Sequence, residues 1–364
     1  MTRDAGTRLA CAGANLAEAR KAGIAIMGAG LLANRLHEAC TQMDIPVHAF
    51  IVSTPTAATH RGVPLYGLAA VPDDLLGKSV WLGIFNHNDG SDLIQLRRQC
   101  LSRGFAGVLL PQQYYALLEA QLGWCYWLAP PAAYDGQRAD IDAARALLAD
   151  AESRSIYDAI LRFRRAEALD TPLPRSVGPQ YFPTDLIPRL PGKVRGYLDG
   201  GAYDGDTVAL AIEHLSPDLV LAFEPDPANF RKLAAHATSA ATSVVLFPLG
   251  ISDGARFLRF NSGNDAGSAV DGSGDSQIQV VDLDRTVSGT PIDFLKLDIE
   301  GCEIEALHGA HKLISTQKPF LAIAGYHRWD DLWKIPMLVH AMNPHYRIEL
   351  RLHCANTFDA VFYA

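Results

Sequence analysis

Two short runs of this sequence hold the residue types that chemistry needs, at spacings a fold can bring together. In Tyr197-Leu-Asp-Gly-Gly-Ala-Tyr-Asp-Gly-Asp-Thr207, an apolar stretch ends on Asp199 and a glycine-rich turn leads into a helical pattern. The next apolar stretch, Leu219-Val-Leu-Ala-Phe-Glu-Pro-Asp226, ends on a second acid, Glu224. The other run is Lys296-Leu-Asp-Ile-Glu-Gly301, where strand alternation sets Lys296, Asp298 and Glu300 on one face.

A ligand lying across the carboxyl ends of parallel strands accounts for the first run residue by residue. Gly200 and Gly201 let the backbone come close, and Gly205 permits the turn into the helix. Asp199 is placed to attract an ammonium group, and Glu224 to accept two hydrogen bonds from a ribose diol. Asp199, Asp204 and Asp206 disfavour a pyrophosphate, so the expected ligand is S-adenosylmethionine, which has an amino group and a sulfonium but no phosphate. The structural alternative is a strand-turn-helix whose acids merely cap the helix.

Methyl transfer from a sulfonium to oxygen is an in-line displacement in which the acceptor must be aligned and lose its proton. His327, with its near-neutral intrinsic pKa, is the first choice of base, and Glu300 or Asp298 the second. Against these stand structural roles: His327 as a helix-start residue, Lys296 neutralising the acids, and Glu300 favouring the helix that begins near Cys302. A divalent cation on Asp298 and Glu300 is conceivable, but no His/Cys cluster supports a transition-metal site, so no metal is assigned. The acids, Ser252 with Asp253, and His327 all fall at carboxyl ends of predicted strands and should converge on one rim.

The elements that position these residues are read from hydrophobic periodicity. Strands are expected near 196–199, 219–223, 244–249, 292–298, 319–325, 345–351 and 358–363, with a helix from Asp330 to Met342 before a closing hairpin. The Gly/Ser/Asp-rich stretch Asn261 to Ser276 is expected to be a mobile loop. Upstream, Gly23-Ile-Ala-Ile-Met-Gly-Ala-Gly-Leu-Leu-Ala33 reads as a strand entering a G-x-G-x-x-A turn, and βα alternation continues through Leu110. The domains expected are an extension over 1–20, a Rossmann-like nucleotide-binding-type domain over 21–134, a helical linker with a Pro-rich loop over 135–193, and the cofactor domain over 194–364. Tyr181, in the Pro-rich loop, is a candidate contact at the site mouth.

A dinucleotide in the first domain is disfavoured, because Val52-Ser53-Thr54 stands where an acid would hold the ribose. Arg61 is a weak candidate for a 2′-phosphate, and Asn86-His-Asn-Asp89 for a ligand contact. The net charge of −8 and pI near 5.8 argue against a nucleic-acid partner. Six cysteines without paired spacing suit free thiols. The start lacks signal-peptide character and no apolar run approaches spanning length, so a cytoplasmic protein with no membrane partner is expected.

The segments Asp199-Gly-Gly-Ala-Tyr-Asp-Gly-Asp-Thr207, Phe223-Glu-Pro-Asp-Pro-Ala-Asn-Phe230, Leu249-Gly-Ile-Ser-Asp253, Val281-Asp-Leu-Asp284 and Phe294 to Ala310 together resemble the FkbM-type family of S-adenosylmethionine-dependent methyltransferases. Tyr326-His-Arg-Trp-Asp-Asp-Leu-Trp333 and Val361-Phe-Tyr-Ala364 resemble a branch that also carries an N-terminal Rossmann-like domain. The resemblance implies two Rossmann-like α/β domains, the second a class I methyltransferase fold with a mostly parallel sheet and a closing antiparallel hairpin. It also implies O-methylation of a sugar, glycan or polyketide-like hydroxyl. Around the cofactor it places Asp199, Gly200, Gly201, Ala202, Tyr203, Gly205, Asp206, Thr207, Glu224, Pro225, Asp226, Gly250, Ile251, Ser252, Asp253 and Asp298. Weaker acceptor-side candidates are Tyr181, Lys296, Tyr326 and His353; the last lies in Leu350-Arg-Leu-His353, where that branch tends to have Leu-Arg-His-Tyr. The first domain would dock part of the small-molecule or glycan acceptor, or support a homo-oligomer. Two rival readings use that domain instead: an NAD(P)-dependent oxidoreductase, and a non-catalytic nucleotide-sugar-binding protein.

Overall fold

Residues 15–88, 90–190, 192–236, 242–260 and 276–364 are described in a computed structural model of the chain. They divide into two units. One runs to Arg138 and includes 158–174 and 354–358; the other comprises 139–157, 175–353 and 359–364. The stretch expected as a separate linker is therefore shared out between the units.

The first unit is built on strands β1 (Ile24–Met27), β2 (Val47–Val52), β3 (Thr59–His60), β4 (Val63–Gly67), β5 (Ser79–Leu82) and β6 (Gly107–Leu109), in the order β3-β4-β2-β1-β5-β6. All pairings are parallel except β3 with β4. β1 is apolar and buried throughout, as a central strand covered on both faces requires. Two polar candidates prove structural. Arg61 ion-pairs with Glu38 at 2.6 Å, which engages the guanidinium proposed for a 2′-phosphate. Asn86 forms a local turn, its Oδ1 accepting from the Asn88 N–H and its carbonyl from Ser91 Oγ and Asn356 Nδ2. Asp89 lies outside the described residues.

The second unit holds β7 (Gly196–Gly200), β8 (Leu219–Phe223), β9 (Ser243–Phe247), β10 (Gly250–Ile251), β11 (Arg256–Phe260), β12 (Ser276–Val281), β13 (Phe294–Leu297), β14 (Phe320–Ala324), β15 (Glu349–Leu352) and β16 (Ala360–Tyr363). Seven of them form one sheet in the order β15-β16-β14-β13-β7-β8-β9. It is parallel except at β16, which runs antiparallel to both neighbours and makes the expected closing hairpin with β15. The chain order reverses between β7 and β13, and a doubly wound sheet opens a ligand crevice at such a point. β10, β12 and β11 form a separate small sheet that periodicity did not anticipate, since β10 has only two residues. The expected loop over 261–275 lies outside the described residues. One side of the main sheet packs Tyr181, Phe182, Tyr197, Phe294, Val361 and Tyr363 into a core. No helix among the described residues is long and apolar enough to cross a membrane.

Candidate active site

The turn after β7 is set by sterics. Gly201 has φ of 77°, and a Cβ there would fall 1.8 Å from the carbonyl oxygen of Asp298, so this turn runs directly against the turn after β13. The N–H groups of Gly201 and Ala202 both donate to the Phe223 carbonyl at 3.0 Å, which ties the loop to the end of β8. Gly205, with φ of 96°, starts the helix Asp206–Leu215.

Two polar groups lie at the ends of β7 and β8. Asp199 is fully buried and pairs with Lys296 Nζ at 2.9 Å. Its other oxygen accepts from Thr207 Oγ1 at 2.6 Å and Tyr197 OH at 3.3 Å. Lys296 Nζ also donates to the Gly201 carbonyl at 2.6 Å and sits 5.1 Å from the centre of the Tyr181 ring. Burial alone would depress the Lys296 ammonium, but Asp199 and then Asp298 outweigh it and hold its pKa above the usual range. Asp199 is therefore not the free ammonium anchor expected of it, because a lysine of the same chain already meets its charge. Lys296, expected on the acceptor side, is buried structure.

Glu224 ends β8 and remains in the crevice. It accepts from the Tyr203 N–H at 2.9 Å and the Asp226 N–H at 2.8 Å, one on each oxygen, leaving each oxygen acceptor capacity. Burial raises its pKa to about 7, against the pull of those two N–H donors. Asp226 caps the next helix through the N–H groups of Ala228 and Asn229, while Pro225 packs near Gly250. Ser252 and Asp253 follow β10, which belongs to the small sheet but packs against the ends of β7 and β8, Ile251 lying against Gly200; both bind Arg256.

A second cluster lies at the ends of β13 and β14. Asp298 accepts from Tyr181 OH at 2.6 Å and Tyr326 OH at 3.1 Å. His327, fully buried, turns Nε2 toward Asp298 Oδ1 at 3.3 Å and Glu300 Oε2 at 3.7 Å, while Nδ1 meets Glu303 Oε1 at 2.8 Å. Glu303 also accepts the Ile299 N–H at 2.8 Å. Glu300 has φ of 55°, a conformation uncommon for a residue with a Cβ.

The charge states follow from the neighbours. Burial pulls His327 toward neutrality, but Glu303, Glu300 and Asp298 overcome it and place its pKa well above the usual value. Burial acts to raise Asp298, yet His327, Lys296 and the two tyrosine hydroxyls hold it below the ordinary carboxylate range. Burial, with Asp298 and Glu303 nearby, pushes Glu300 up to about 8 despite His327. His327 is thus held toward the imidazolium, a form with no lone pair to take a proton, so the geometry favours a carboxylate over it as the base. Of the carboxylates placed second, Asp298 is the ionised acceptor the geometry offers, whereas Glu300, pushed up to about 8, holds its own proton at neutral pH.

Of the weaker candidates, Tyr181 and Tyr326 reach the cluster as buried donors to Asp298. His353 does not; its Nε2 meets Tyr363 OH at 2.9 Å. Glu303 and Asp331 were missed. Glu303 opens a helix three residues after Glu300, a signal in the sequence, whereas Asp331 shows only as an acid at a helix start.

Residues 199–357 match the family model for the methyltransferase FkbM domain. The fold is similar to the crystal structure of methyltransferase FkbM from Methylobacillus flagellatus KT, with a TM-score of 0.74, 21% identity and 98% of each chain covered. No curated protein matches the sequence.

Proposed function

We propose that this chain, whose residues 199–357 match the methyltransferase FkbM domain, is a methyltransferase whose donor is S-adenosylmethionine and whose acceptor is a hydroxyl of a sugar, glycan or polyketide-like small molecule. The observation that carries the donor assignment is Glu224. It is a buried carboxyl at the end of β8, it has acceptor capacity to spare, and it holds the loop that crosses the end of β7. A ribose diol is a suitable partner for that group, and the acids Asp204 and Asp206 on the same loop disfavour a phosphate-bearing ligand.

Bound there, the donor supplies an electrophilic methyl group on a sulfonium. The carbon–sulfur bond breaks with its electron pair going to sulfur, a carbon–oxygen bond forms, and the hydroxyl proton passes to a carboxylate. Asp298 stands at the neighbouring strand end to receive it, with the His327 imidazole beside it at 3.3 Å. Such an arrangement suits a hydroxyl, which must lose a proton as it gains the methyl.

Calorimetric titration of the full chain with S-adenosylhomocysteine tests the donor site. Binding by the parent and its loss in Glu224→Ala is the expected result; no heat in the parent, or equal binding by the variant, refutes the assignment. Incubating the protein and isotopically labelled S-adenosylmethionine with candidate acceptors, then searching by mass spectrometry for products heavier by one methylene, identifies the acceptor.

A further inference from the structure

The cluster beyond the donor site has a composition that methyl transfer alone does not require. Asp298, Glu300, Glu303 and Asp331 surround one imidazole, and single ligand atoms of Asp298, Glu303 and His327 lie within 4.8 Å of one another. Glu300 Oε2, which faces the ring nitrogen Nε2 at 3.7 Å, is buried and has no hydrogen-bond partner. A buried carboxylate oxygen left so costs free energy unless something meets it.

We propose that His327 Nε2, Asp298 and Glu300 bind a divalent metal cation, and that Glu303 orients the imidazole from behind. The separations support this. Nε2 lies 3.3 Å from Asp298 Oδ1 and 3.7 Å from Glu300 Oε2, and ligand atoms around a divalent cation with bonds of about 2.0–2.3 Å stand roughly 3–3.7 Å apart. The Glu303 contact to Nδ1 at 2.8 Å is the carboxylate–histidine pairing that fixes a ligating imidazole with Nε2 toward the metal. Tyr181 and Tyr326 likewise fix Asp298 by hydrogen bonds. Two oxygens and one nitrogen form a mixed set suited to a first-row cation such as Mn²⁺, with coordination positions left for solvent or substrate. A cation here would acidify an acceptor hydroxyl bound to it; that consequence rests on the methyltransferase reading, whereas the binding site does not.

The test is a Mn²⁺ titration of the chelator-stripped full chain followed by electron paramagnetic resonance, with S-adenosylhomocysteine calorimetry on the same sample. Stoichiometric loss of the free Mn²⁺ signal and a nitrogen hyperfine coupling from His327 are expected. Glu300→Gln should weaken binding at least about tenfold, and Glu303→Gln about 10–100-fold, as loss of an outer partner does. Parent protein that leaves the free signal undiminished, or binds Mn²⁺ without nitrogen coupling, overturns the site without any variant being needed. S-adenosylhomocysteine binding with no Mn²⁺ uptake would sink the metal site alone. Mn²⁺ uptake with no analogue binding would sink the donor assignment and leave the metal site standing.

Discussion

Replacing Lys296 with methionine removes the ammonium that pairs with Asp199 while nearly conserving side-chain length. At 2.9 Å, with both groups at or below 1% exposure, the pair's attraction is about 6 kcal/mol at an effective dielectric near 20, before desolvation is subtracted. Removing one member of such a pair leaves the other charge buried and unmatched, so Lys296→Met and Asp199→Asn should each cost about 3–5 kcal/mol. The double variant is neutral at both positions and keeps an acceptor for the Thr207 hydroxyl, so its cost should fall short of the sum by about 2–3 kcal/mol. A chain of two units has no single two-state free energy, so the assay is hydrogen exchange by mass spectrometry on peptides covering 196–201 and 294–298. Each single variant should lose protection roughly a hundred- to several-thousand-fold. A loss under about twofold, the scale of an exposed substitution, or strict additivity in the double variant, would show that Lys296 does not neutralise Asp199.

Three other perturbations have outcomes fixed by the geometry. Glu224, pushed up to about 7 by burial, accepts hydrogen bonds best when ionised, so S-adenosylhomocysteine should bind more tightly as pH rises through that value; Glu224→Gln should flatten the profile and weaken binding about 10–100-fold by calorimetry. Gly201→Ala drives a Cβ to 1.8 Å from the Asp298 carbonyl at a φ of 77°, and should cost more than about 3 kcal/mol, read as loss of soluble folded protein or of exchange protection over residues 196–201. Burial and then Arg351 depress His353 from 6.5 to about 4, so the unfolded chain takes up the proton first. The stability it contributes is full above 6.5 and is lost as pH falls toward 4, by up to about 3 kcal/mol. His353→Gln should therefore show a shallower fall in hydrogen-exchange protection of peptides covering 349–353 over that window than the parent, and parallel curves would refute the burial argument.

Much of the second unit was legible because its strands are short apolar runs ending on polar residues, and each of the seven expected strands of the main sheet exists. The limits of that reading are equally physical. Lys296, Asp298 and Glu300 were read as one face by alternation, but β13 ends at Leu297 and the chain then turns, reaching the left-handed region at Glu300. Alternation stops where the strand stops, so Lys296 serves Asp199 while Asp298 serves two tyrosines and a histidine. The two strand ends thereby acquire different work, the first a closed ion pair and the second an open set of acids. The state of His327 was beyond reach for a related reason: an imidazole's intrinsic pKa says little once Glu303, lying 24 residues earlier in sequence, is folded to within 2.8 Å of it. That contact fixes both the charge the ring carries without a metal and the direction in which Nε2 points. A residue chosen from sequence as a base for its near-neutral titration becomes, in the fold, a group whose direction matters more than its titration.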